Sequence, residues 1–92
     1  MSRSNAQKKL SQVMIDCIKS VERHKTLVRW KGGYWTRQGC PTKVIDETEV
    51  PEWWYTWSTI KALVDRGILT VTEHNYNPYD LKYYPVAIKL KQ

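Results

Sequence analysis

Thr59, Lys61 and Arg66 place a hydroxyl, an ammonium and a guanidinium close together in sequence, a set suited to contact with a polyanion. On a helix with Ile60, Leu63 and Val64 turned inward, positions 59, 61, 62, 65 and 66 face outward. Lys61 and Arg66 would then reach phosphates or guanine edges, Thr59 a phosphate or a base, and Ala62 would admit a thymine methyl. Asp65 stands near the centre of that face, where a carboxylate repels the DNA backbone unless it accepts from a cytosine amino group. The same residues also make an ordinary solvated helix face, so both readings stay open.

Three further groups suit binding. Asn75, Tyr76, Asn77, Tyr79 and Lys82 surround a turn-rich loop; Tyr79 and Lys82 fit sugar and phosphate, while turn chemistry alone accounts for the Asn, Pro and Asp. Lys8, Lys19 and Arg23, extended by Arg3, Lys9, Lys25, Arg29 and Lys31, form a basic stripe that attracts nucleic acid of any sequence and weakens in salt. Such charge equally favours solubility. Trp53, Trp54 and Trp57, with Tyr55, suit stacking on unpaired bases or anchoring a protein partner. Asp46, Glu47, Glu49 and Glu52 beside them would repel phosphate and favour the protein. A chain with no phenylalanine must also build its core from such rings.

Catalysis and metal binding find no comparable pattern. Cys17 falls on the apolar face of a helix and reads as a small buried hydrophobe. Cys40, His24 and His74 lack paired ligand spacing, and Gly32-Gly33 is a turn and not a phosphate loop. No enzyme activity, metal or cofactor is expected.

The elements that must position these side chains come from patterning. Ninety-two residues make one domain with one small core, with residues 1–4 expected as a tail. Net charge is +6, but unevenly spread: residues 1–31 hold eight Lys/Arg against two acids, and residues 32–57 two against four. No apolar run approaches the ~20 residues of a membrane span, and no signal-peptide core is evident, so a soluble, cytoplasmic protein with reduced thiols is expected.

Ser4-Asn-Ala-Gln7 has the form of a capping box, and Leu10, Val13, Met14, Cys17, Ile18 and Val21 recur at helical spacing, predicting a helix over about residues 5–24. Thr26–Trp30 and Tyr34–Thr36 around Lys31-Gly-Gly33 predict a tight hairpin. Residues 42–52 read as an irregular acidic loop, and Trp53–Trp57 as a short helical turn. Ser58 is expected to cap a helix that Gly67 ends in the left-handed conformation. Leu69–His74 and Lys82–Leu90 then form a hairpin, with Val86, Ile88 and Leu90 alternating as on a half-buried edge strand.

Ser58-Thr-Ile-Lys-Ala-Leu-Val-Asp-Arg-Gly-Ile-Leu69, a capped helix running through glycine into a strand, resembles the recognition helix and wing of bacterial winged-helix regulators. The resemblance covers most of the chain from Leu10 onward and implies an α+β fold of N-terminal helix, β-hairpin, short capped helix and C-terminal wing. Gly32-Gly-Tyr-Trp35, Gly39-Cys-Pro41, Val50-Pro-Glu-Trp-Trp54, Thr59 to Gly67 and Tyr84-Pro-Val86 are similar to short uncharacterised proteins of phages and prophage-like elements. The middle helix of the regulator pattern is replaced by a loop and an aromatic cluster. Double-stranded DNA is the partner implied, with Thr59, Lys61, Arg66, Tyr79 and Lys82 at the groove and Lys8, Lys19 and Arg23 on phosphates. Function as a regulator or accessory factor of a mobile element follows, with a homodimer pairing half-sites as one arrangement. The alternative is a protein-interaction module, such as a phage-encoded inhibitor of a host enzyme or defence complex, that binds through Trp53, Trp54, Trp57, Glu49 and Glu52.

Overall fold

A computed structural model describes residues 10–91. Its first helix, α1 (Gln12–His24), buries Cys17 and Val21 one turn apart. Ser11 caps it: the backbone is extended there, and Oγ accepts the Met14 N–H at 3.3 Å. The helix expected from about residue 5 therefore begins, within the described residues, at Gln12. The Ser4–Gln7 capping box lies outside them, as does Lys8. At the other end the Lys25 N–H bonds the Val21 carbonyl at 2.7 Å, and the chain turns into β1 (Thr26–Trp30).

β1 pairs with β2 (Tyr34–Thr36) across the glycine turn, as the sequence predicts, with both glycines at positive φ. Residues 42–52 are ordered differently from the expected loop. They form a second hairpin, β3 (Thr42–Ile45) and β4 (Thr48–Pro51), which pairs Lys43 with Val50 and Ile45 with Thr48. Its two-residue turn, Asp46-Glu47, holds both residues at positive φ, the geometry that matches strand twist but is usually marked by Asn-Gly. The Thr42 hydroxyl donates to Glu49 Oε2 at 2.7 Å across this ribbon.

Trp53–Trp57 do not form the expected helical turn. Tyr55 instead bridges to Trp35, with the Trp35 N–H on the Tyr55 carbonyl at 2.9 Å and the return bond at 2.8 Å. The free edge of β2 exposes those backbone groups, and an extended segment satisfies both where a helical turn would satisfy neither. Helix α2 (Trp57–Asp65) starts immediately afterwards. Thr56, not Ser58, is its N-cap residue, and no side chain bonds the first turn; the Ser58 hydroxyl lies 2.9 Å from that of Thr56. Stacking of Trp57 on Trp35 places the helix start ahead of the expected cap. The C-terminus follows the sequence reading. Gly67 has φ +76°, its N–H bonds the Val64 carbonyl, and the Ile68 N–H reaches the Leu63 carbonyl, together a Schellman motif.

β5 (Leu69–Asn77) and β6 (Lys82–Leu90) complete a four-stranded antiparallel sheet of order β2-β1-β6-β5. β6 is therefore central, not an edge: Leu27 pairs with Ile88 on one side and Val71 with Ile88 on the other. Both Ala87 and Ile88 are buried, as residues on the two faces of a central strand are. Cys17, Val21, Leu27, Trp35, Ile60, Leu63, Leu69 and Ile88 make the core between the helices and one sheet face. The far half of the β5–β6 hairpin leaves that core exposed on both strands, and the molecule is long, 49 × 31 × 24 Å. No described helix is long and apolar enough to cross a membrane.

One buried group is at odds with its surroundings. Thr36 is fully buried, and its hydroxyl has no hydrogen-bond partner among the described residues. Thr36→Val keeps the branched shape and removes the unsatisfied oxygen, so it is expected to stabilise the domain by about 1 kcal/mol. Thermal denaturation should show this as a rise of about 4–8 °C in Tm. A fall would show that the hydroxyl is satisfied in solution.

Candidate nucleic-acid interface

The outer face of α2 is less cationic than its sequence implies. Lys61 Nζ lies 2.8 Å from Asp65 Oδ2, one turn along the helix, with both side chains well exposed. An exposed pair of this spacing is worth only about 0.3–0.5 kcal/mol, so a phosphate could compete for the lysine. Arg66 folds back on the helix, Nη1 donating to the Ala62 carbonyl at 3.2 Å, and Thr59 is half-buried. Three expected contact residues thus share a short helix and its C-cap, where Lys61 is offset by Asp65 and Arg66 bonds only a neutral carbonyl.

At the tip of the β5–β6 hairpin, Asn77 Oδ1 accepts the N–H groups of Tyr79 (2.9 Å) and Asp80 (3.4 Å), and Asn77 Nδ2 donates to Asp80 at 3.0 Å. This fixes a four-residue loop, Pro78–Leu81, that presents Tyr79 at 94% exposure. Lys82 is exposed at the base of the loop, and Tyr76 packs edge-on against Tyr83 across the strands. Turn chemistry therefore explains Asn77 and Asp80, while Tyr79 and Lys82 remain available.

Lys19 and Arg23 are exposed on α1. Arg23 lines a shallow depression of about 320 Å³ with Ser20, His24, Trp53, Trp54 and Tyr55, so the basic stripe and the aromatic run, separate in sequence, meet there. The three tryptophans are each held by another ring. Trp53 stacks on His24 at 5.5 Å, Trp54 meets Tyr34 edge-on at 4.8 Å, and Trp57 stacks on Trp35 at 5.7 Å. Trp53 and Trp54 are half-buried, Trp53 against the core, while Trp57 is exposed. Glu49 and Glu52 are exposed beside them, and Lys43 lies over Trp54 at 5.9 Å. The Tyr55 hydroxyl is 2.9 Å from that of Ser20; burial raises its pKa, Ser20 lowers it in part, and the nearby Cys17 and Asp16 add to the rise.

A larger groove, of about 490 Å³, lies where the sheet outruns the helices, between Arg29, Trp35, Trp57, Lys82 and Tyr84. Arg29 follows Leu27 on the core face of β1, pairs with Trp35 across the ladder, and lays its guanidinium over the Tyr84 ring at 5.2 Å. Sequence reasoning placed Arg29 only in the general basic stripe and missed Trp35 and Tyr84 as its neighbours. The period-two alternation from Leu27 to Arg29 is the signal that could have shown it. Compared with known protein families, curated proteins and solved structures, the chain matches none of them.

Proposed function

We propose that this protein is a small winged-helix-type module that binds double-stranded DNA, as a regulator or accessory factor of a phage or other mobile element. The observation that carries the reading is the run from α2 through Gly67 into a hairpin whose second strand lies beside β1. A helix at the base of a projecting wing has this order and this sheet arrangement, β1-β6-β5. The net charge of +6 supplies the long-range attraction. Because Lys61 and Asp65 offset each other, the wing leads the contact: Tyr79 and Lys82 meet the backbone, Lys19 and Arg23 add phosphate contacts, and Thr59, Lys61 and Arg66 follow at the groove. The long β2–β4 insertion stands where a middle helix would be, so docking differs from a helix-turn-helix.

The expected result for Tyr79→Ala with Lys82→Gln is weaker duplex binding and a salt slope shallower by about 0.9 for each phosphate no longer neutralised. Lys61→Ala with Arg66→Ala should weaken binding less. Equal affinity of wild type and the wing variant would remove the wing from the interface.

A second reading is favoured by one observation. Val44 (71% exposed) and Ile45 (44%) stand in the open on the β3–β4 hairpin beside Asp46, Glu47 and Glu49. Consecutive on β3, they point to opposite faces of the ribbon, and an exposed apolar side chain near acids on each face suits a protein partner with a basic surface, in keeping with an inhibitor of a host enzyme or defence complex. The contact would then centre on this hairpin, with Glu49 and Glu52 at its rim, in place of the packed tryptophans.

A further inference from the structure

We propose that the groove between the wing and the start of α2 binds a single unpaired nucleotide, its base against Trp57 and its phosphate between Arg29 and Lys82. Trp35 and Trp57 form a two-ring stack, 5.7 Å between centroids and 29° from parallel. Trp35 is buried and Trp57 is 37% exposed, so the open end of the stack belongs to Trp57, which lines the groove. A flat base extends such a stack, and every base has a face that fits, which makes the contact tolerant of sequence. The volume of about 490 Å³ falls in the range of about 300–1,000 Å³ typical of sites for small organic ligands.

The charge in the groove selects an anion. The Arg29 guanidinium rests on Tyr84, and among the described residues no carboxylate pairs with it; the one ion pair there is Lys61 with Asp65. Its hydrogen-bond donors are left for a ligand. Lys82 adds a second cation to the lining. Asp80 is the carboxylate of the groove, and Asn77 Nδ2 holds it at 3.0 Å, which leaves two cations against one anion. A ring slot with an unpaired arginine beside it matches base and phosphate together; an acidic peptide satisfies the cations and leaves the stack unused. The site shares Lys82 with the duplex reading and differs from it in its ligand, because a base in this groove must be unpaired.

Titration of the protein with a fluorescently labelled oligothymidylate, with the same strand made abasic, and with a duplex of the same length separates the possibilities. The intact strand is expected to quench tryptophan fluorescence and to bind about tenfold or more tighter than the abasic strand, the scale of one base–aromatic stack. Arg29→Gln should weaken the intact strand several-fold; Arg29 is exposed and, among the described residues, makes no ion pair and rests only on the Tyr84 ring, so the fold survives the change. Trp57→Phe keeps a ring on Trp35 and should bind with intermediate affinity. Equal affinity for intact and abasic strands, or no effect of Arg29→Gln, overturns the proposal. Duplex binding without strand preference would leave the function proposed above standing and remove the groove; strand binding without duplex binding would do the opposite.

Discussion

Trp35→Ala is expected to cost about 3–5 kcal/mol, a large share of the roughly 5–14 kcal/mol that a domain of this length holds. The ring is 1% exposed and is the largest fully buried side chain. It joins three parts of the molecule: the backbone pairs with Arg29 on β1 and with Tyr55 ahead of α2, and the ring stacks on Trp57 at the start of that helix. Truncation opens a cavity where α2, the sheet and the aromatic segment meet, and no neighbouring side chain can fill it without leaving its own contact. At about 4–8 °C of Tm per kcal/mol, circular dichroism should record a fall of more than about 12 °C, or a chain already unfolded at room temperature. A drop of only a few degrees would mean that this junction is not where the stability lies.

Alkaline pH should destabilise the fold through Cys17. Burial pushes its thiol from the ordinary 9.0 up to about 12. The folded form thus keeps its proton where the unfolded chain gives it up. Stability is unaffected below pH 9, falls as the unfolded thiol ionises above it, and levels off near pH 12, at about 1.4 kcal/mol for each unit between the two values. Tyr55, raised in the same direction by burial, adds to the fall above pH 10. A few kcal/mol is the scale expected. Urea denaturation of wild type and Cys17→Ala at pH 8 and pH 11 isolates the thiol's share: the variant should lose less stability between them. Parallel losses would show that Cys17 ionises as freely in the folded protein as in the unfolded chain.

Local signals were legible where the residue types decide the geometry. Gly67 at positive φ after Ile60, Leu63 and Val64 marked the end of α2, and Gly32-Gly33 marked the first turn. The β3–β4 hairpin stayed hidden because Asp46-Glu47 takes a turn that glycine or asparagine normally signals, and because Val44 and Ile45 face solvent and break the expected alternation. The central place of β6 depends on Thr26 and Leu27 finding Lys89 and Ile88 across most of the chain, which no local pattern reports. Thr56 displaced Ser58 as the cap because Trp57 is fixed by Trp35, again a distant contact. The groove is the extreme case. Arg29, Trp57 and Lys82 come from three separate elements, and their individual chemistry was visible while their meeting was not.

The most direct test of the DNA-binding account is fluorescence anisotropy of a labelled random duplex titrated with the protein at several salt concentrations. The account predicts binding that weakens steeply and linearly in log[salt], with a slope of about −0.9 for each phosphate contacted. Absence of binding at low salt would contradict it and turn attention to the exposed β3–β4 hairpin as a protein-binding surface.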